Sequence, residues 1–190
     1  MTLEEALLDT LPQTQCRQCG FDGCAQYAKA LAQGSACANR CAPGGQAGVE
    51  KLSHLLGVEP SLLDPEYGKE LPFAVAKIDA KRCMGCALCA VACPVEVISG
   101  VAKHLFAVIE NECTGCGLCV CACPVNAVEM HEVNRTWTHE DAMKAKVAFE
   151  RANARRAKVK EDRLKAIERQ TQAKNDFLAA VLMKAKGLQA

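Results

Sequence analysis

Aromatic side chains are scarce in this 190-residue chain: one tryptophan, two tyrosines and five phenylalanines, 4% of the sequence. Large rings therefore cannot fill most of a core, and something else must supply order. Long apolar runs are missing as well. The longest, FLAAVLM from Phe177, is far shorter than the roughly 20 residues a membrane-crossing helix needs, so no span is expected. The opening MTLEEALLDTLPQ has neither the basic and apolar stretches nor the small-residue cleavage site of a secretory leader. There is no GxGxxG or Walker sequence, hence no visible nucleotide or flavin site. Between Val125 and Lys186 neither proline nor glycine occurs, so nothing there interrupts a long helix.

Cysteine, by contrast, appears 14 times. Without a leader the thiols are expected in a reducing compartment, the cytoplasm, where metal rather than disulfides would hold them. Two phrases repeat the pattern C-x2-C-x2-C-x3-C-P: Cys83, Cys86, Cys89, Cys93 and Pro94, then Cys113, Cys116, Cys119, Cys123 and Pro124. This is the bacterial two-cluster ferredoxin run, in which three close thiolates hold one [4Fe-4S] cube and the fourth reaches the other. The spacing assigns Cys83, Cys86, Cys89 and Cys123 to one cluster, and Cys113, Cys116, Cys119 and Cys93 to the second. Gly85, Gly115 and Gly117 would let backbone amides approach the sulfurs. Short strands are expected beside each motif: AVAKID and VEVIS around the first, FAVIE and AVEM around the second. Zinc sites usually pair two C-x2-C units across 12 to 20 residues, which these phrases do not match. Cys121 has no counterpart in the first repeat, where Val91 stands, and is expected to be a small buried thiol.

A different cluster precedes both. Cys16-x2-Cys19-x4-Cys24-x16-Cys41 predicts a third four-thiolate site, for another cube or for zinc. Thr2 and Glu5 should cap a first helix that Pro12 ends, and Cys24 should open a second that stops at Gly34. Cys37 is read as non-ligating.

The strings LPQTQC, CAPGG and LGVEP, the front cysteine spacing and the two ferredoxin phrases in this order resemble RnfB, the ferredoxin-type iron–sulfur subunit of the Rnf/Rsx electron transport complex, over about residues 5 to 134. The resemblance implies that Cys16, Cys19, Cys24 and Cys41 hold a [4Fe-4S] cluster, making three. It also implies electron relay between ferredoxin and the other subunits of a membrane complex that couples ferredoxin:NAD oxidoreduction to ion translocation. A related complex keeps a redox-sensing transcription factor reduced. Two departures are expected: no hydrophobic anchoring helix at the start, and a long basic tail.

Charge is divided. Residues 1 to 134 carry nine Lys/Arg against fifteen Asp/Glu, and residues 135 to 190 fourteen against seven. The tail should be a mostly solvated helix from near His139, capped by Thr138, ending in an apolar stripe of Phe177, Leu178, Val181 and Leu182. It could shield the acidic part, or meet anionic lipid or nucleic acid. Trp137 is read as an anchor for the helix start, and His54, His104, His131 and His139 as non-ligands.

Together these readings give an α+β protein: a small helical one-cluster domain (1–56), a linker (57–73), a two-cluster ferredoxin-like domain (74–134) and a basic helical tail (135–190). The expected function is electron transfer, not catalysis by the chain alone. Redox proteins are the expected partners, membrane electron-transport subunits among them, at the cytoplasmic face of the inner membrane. The alternatives are a soluble polyferredoxin serving a cytoplasmic oxidoreductase, or a nucleic-acid-associated redox sensor.

Overall fold

The computed structural model describes residues 2–187 and divides into two compact units, Met1–Phe149 and Glu150–Ala190. It combines helices with two small sheets.

The first unit begins with three helices: α1 (Leu3–Thr10), α2 (Cys24–Ala32) and α3 (Gly45–Leu56). A reciprocal capping box opens α1: the Glu5 N–H donates to Thr2 Oγ1 at 3.2 Å, and the Thr2 N–H to Glu5 Oε2 at 2.7 Å. Pro12 follows the last turn of α1 and cannot continue it. Past α2 the chain turns at Gly34, whose φ of +68° suits glycine, and Ser35 N–H closes back on the Ala30 carbonyl. Leu7, Leu11, Tyr27, Ala28, Leu31 and Leu52 form a buried cluster between these helices.

The strands are β1 (Ala74–Ile78), β2 (Ile98–Ser99), β3 (Ala107–Val108) and β4 (Val128–Glu132), with short helices α4 (Leu88–Ala92) and α5 (Leu118–Cys121) between them. β1 pairs antiparallel with β4, Ala76 opposite Met130, and β2 with β3, Ile98 opposite Val108. Each pair therefore joins one strand from each repeat. The expected strands VEVIS and FAVIE shrink to two residues apiece, which suffices to close the halves over a core of Val75, Val95, Val97, Phe106 and Val128.

The repeats also share a left-handed step into their helices: Ala87 at φ 66° before α4 and Gly117 at φ 72° before α5. The paired glycines Gly85 and Gly115 are more constrained. A Cβ on Gly85 would meet the His104 backbone at 2.6 Å, and one on Gly115 the Ala74 carbonyl oxygen at 2.7 Å.

α6 (His139–Gly187) runs through both units. Its start is a second capping box: Asp141 N–H donates to Thr138 Oγ1 at 3.2 Å, and Thr138 N–H to Asp141 Oδ2 at 2.9 Å. The Thr138 N–H, followed by the Thr138 hydroxyl and Arg135, holds the Asp141 carboxyl below its ordinary range. Within the first unit, Ala148 and Phe149 pack against the strand core. In the second unit the helix is exposed from Asn153 to Lys184, Phe177, Leu178, Val181 and Leu182 included. No helix among the described residues is long and apolar enough to cross a membrane.

Candidate metal centres

The loop after α1 is set by side chains that carry no metal-binding chemistry of their own. Gln13, Gln15 and Arg17 all take positive φ, at 56°, 56° and 64°, a conformation rare for residues with a Cβ. Two buried amides hold it. Gln13 Nε2 donates to the Leu8 carbonyl, Gln15 Nε2 donates to Gln13 Oε1 at 3.1 Å, and Gln15 Oε1 accepts the Cys24 N–H at 3.0 Å. The loop carrying Cys16 and Cys19 is thereby fixed against the first turn of α2. Tyr27 does the same for the far side: its hydroxyl donates to the Cys37 carbonyl at 2.7 Å and accepts the Arg40 N–H at 3.2 Å. The result is a cavity lined by Cys16, Cys19, Cys24 and Cys41, with Leu11, Thr14 and Tyr27. Cys37 is held through its backbone, is exposed, and does not line it.

The ferredoxin phrases line two further cavities. One is bounded by Cys83, Cys86, Cys89 and Cys123, with Ile78, Phe106 and Val128. The other is bounded by Cys93, Cys113, Cys116 and Cys119, with Val95, Val97 and Thr114. Cys93 and Cys123, at the ends of the helical turns α4 and α5, thus each sit with the other repeat's three cysteines. The Ala127 N–H donates to Cys123 Sγ at 3.2 Å, a dipole directed at the sulfur. Arg82 ties the two repeats together outside the cavity, donating to Asp79 Oδ2 at 2.7 Å, to the Asn126 carbonyl at 2.6 Å and to Glu129.

Cys121 departs from expectation: it is exposed, not buried. Two residues after Cys119 on a helical turn it points away from the cavity that Cys119 lines, and Val91, its counterpart in the first repeat, is exposed for the same reason. None of His54, His104, His131 and His139 lines any of the three cavities.

Burial in apolar surroundings is the leading influence on these thiols. It pushes Cys24 and Cys119 up to about 12 and Cys116 up to about 11, and raises Cys19, Cys41 and Cys89. Neighbouring cysteines add to the shift in every set, since several thiolates cannot share a cavity without a cation. The donor set fits an iron–sulfur group, four thiols around each apolar cavity. Among the described residues no group of three or more His, Cys, Asp or Glu is arranged to hold one metal ion. A tetrahedral zinc site would need four sulfurs at about 2.3 Å from a single point.

Comparison with known proteins agrees with this chemistry. Residues 76–130 match the model of a 4Fe-4S dicluster domain, and residues 11–43 that of a putative Fe-S cluster family. The RnfB component of the ion-translocating oxidoreductase complex of Ectopseudomonas mendocina is 50% identical over 134 residues, 70% of this chain and 69% of that protein. The chain belongs to the RnfB family. The RnfB of Thiobacillus denitrificans is 54% identical over 110 residues, 58% of each chain, and that of Azoarcus sp. 55% identical over 100 residues, 53% of this chain and 55% of the relative. The matched stretch thus spans little more than half the length of these two RnfB relatives. Family membership and the dicluster match make this an iron–sulfur protein with [4Fe-4S] clusters.

Sequence reasoning attaches no role to Gln13, Gln15, Thr14 or Thr114. The string LPQTQC contains three of them, yet nothing in a one-dimensional pattern distinguishes a loop-setting glutamine from a solvated one.

Proposed function

We propose that this chain is an electron relay of an Rnf-type complex holding three [4Fe-4S] clusters: one on Cys16, Cys19, Cys24 and Cys41, one on Cys83, Cys86, Cys89 and Cys123, and one on Cys113, Cys116, Cys119 and Cys93. The observation that carries the reading is that four cysteines line each of three separate cavities, with Cys93 and Cys123 exchanged between the repeats. When bound, such clusters supply one-electron oxidation and reduction without breaking substrate bonds. The protein's own residues supply the surroundings. Cysteine thiolates anchor, Val95, Val97, Phe106 and Val128 keep water from the sulfurs, and N–H donors such as Ala127 stabilise negative charge on them. In this reading the one-cluster and two-cluster domains cover residues 1–56 and 74–134.

The partners proposed are other redox subunits of the membrane complex, met at the cytoplasmic face of the inner membrane. The basic tail, with fourteen Lys/Arg against seven Asp/Glu over residues 135–190, suits an acidic partner surface. Anaerobic pull-down with the full chain from detergent-solubilised cells tests this. Recovery of integral-membrane subunits is the expected result, and recovery of water-soluble oxidoreductases alone would reassign the chain to them.

A further inference from the structure

Thr14 lines the front cavity and Thr114 lines the Cys93/Cys113/Cys116/Cys119 cavity. They meet across 100 positions of sequence: the Thr114 hydroxyl donates to the Thr14 carbonyl at 3.1 Å. The contact is dry, with Thr14 5% and Thr114 2% exposed. Cys116, two residues on, lines the same cavity as Thr114, and its sulfur is the second acceptor available to the hydroxyl. A threonine hydroxyl carries one proton and can donate to one acceptor at a time.

We propose that Thr114 is a positioning residue that couples the front site to the Cys93/Cys113/Cys116/Cys119 site, its single proton shared between the Thr14 carbonyl and the Cys116 sulfur. The inference rests on the ligand sets proposed above. With little negative charge on the sulfur, the Thr114 hydroxyl keeps donating to the Thr14 carbonyl. When a one-electron donor, a reduced iron–sulfur partner in the relay or dithionite in a titration, gives up an electron to a centre held there, the sulfur becomes more negative, and the hydroxyl would turn toward Cys116 and stabilise the reduced state. No bond is made or broken; only the hydrogen bond changes acceptor.

The same contact sets an order among the three sites. From Cys16 the path runs through Gln15 to the Thr14 carbonyl, across one hydrogen bond to Thr114, and then to its neighbour Cys113. The Cys83/Cys86/Cys89/Cys123 site has its connection to that same centre through α4 and α5, which carry Cys89 and Cys119 and end beside Cys93 and Cys123. The Cys93/Cys113/Cys116/Cys119 centre is therefore the inner one.

The test is an EPR-monitored redox titration of the fully loaded chain, unsubstituted and as Thr114→Val and Thr114→Ser. The signal of the inner centre is marked by its alteration in Cys116→Ser. Thr114→Val should lower that centre's midpoint, with about a tenfold shift in its oxidised-to-reduced ratio, or about 59 mV for one electron. Thr114→Ser should restore it, and the Cys83-containing centre should not move. If Thr114→Val cannot hold the inner centre while Thr114→Ser can, the hydroxyl requirement is met and the proposal stands; loss in both overturns it. Unchanged midpoints in a fully loaded Thr114→Val, or equal shifts in all three centres, overturn this inference alone. An unsubstituted chain with fewer than three centres, or a Cys116→Ser chain with no altered signal, overturns the ligand sets and this inference with them.

Discussion

The Trp137 indole N–H donates to the Pro12 carbonyl at 2.9 Å, tying the approach to α6 to the loop that carries Cys16 and Cys19. The ring also stacks on Phe73 at 5.0 Å, and the Arg135 guanidinium lies over Phe73 at 4.6 Å. Beside this joint Lys146 Nζ meets Asp9 Oδ1 at 2.7 Å. In a chain so poor in rings, this joint draws two of them together to hold the front helices to the strand core.

Trp137→Phe keeps the stacking and loses the hydrogen bond, leaving the Pro12 carbonyl without its donor. It should cost about 1 kcal/mol, and Trp137→Ala about 3 kcal/mol or more. Denaturant unfolding of the loaded chain reads both; no loss of stability in Trp137→Phe would mean the indole N–H contributes nothing, and equal costs in the two variants would mean the stacked ring contributes nothing.

The repeats predict opposite tolerance at two glycines of the same loop. Gly117 has open space where a Cβ would stand, and Ala87 already occupies the matching position at φ 66°. Gly117→Ala should therefore cost only about 1 kcal/mol, the strain of a left-handed alanine. Gly115→Ala would drive a methyl against the Ala74 carbonyl at 2.7 Å and should cost clearly more, with loss of iron from the adjacent cavity. Melting temperature and iron content of the two variants check the order.

Thiol titration gives the metal-free and loaded chains opposite pH responses. Burial holds Cys24 and Cys119 up to about 12 and Cys116 up to about 11, above the unfolded thiol value of about 8.5. The metal-free native state then keeps protons that the unfolded chain releases, so its stability should be full below about pH 8.5 and fall as pH climbs toward 11. Ligating thiolates must instead be reprotonated to let go, so the loaded chain should lose iron on acidification. Melting curves of the metal-free chain from about pH 7 to about pH 10 would contradict this if the melting temperature rose.

The groupings of cysteines around the ferredoxin cavities are legible in the sequence because spacing decides which thiols one loop can gather: three within seven residues share a loop, and the fourth lies beyond a helical turn. The two helix caps at Thr2 and Thr138 are legible for a similar reason, since a cap is a local exchange of hydrogen bonds between near neighbours. Other features have no local signal. The left-handed run through Gln13, Gln15 and Arg17 depends on buried amide contacts that include one reaching nine residues ahead to Cys24. The Thr14–Thr114 contact joins two cysteine loops far apart in the chain and has no periodicity to reveal it. Cys121 escapes a position-by-position comparison of the repeats, because the direction of a residue on a helical turn decides whether it meets the cavity or the solvent.

The exposed pair gives a control. Cys37→Ala and Cys121→Ala should leave iron content unchanged, because neither residue lines a cavity. Cys89→Ala and Cys119→Ala should each lose about four iron atoms per chain and destabilise the strand core they pack in. Iron and sulfide assays on the four variants decide it.

The exchange of Cys93 and Cys123 between the repeats is tested most directly by anaerobic native mass spectrometry of two double variants of the full chain. Cys93→Ala with Cys119→Ala removes two ligands of one centre and should leave two clusters bound. Cys93→Ala with Cys89→Ala strikes two centres and should leave only one. The reverse outcome, two clusters retained when Cys93 and Cys89 are replaced and one when Cys93 and Cys119 are, would mean each repeat holds its own cluster and would contradict the account.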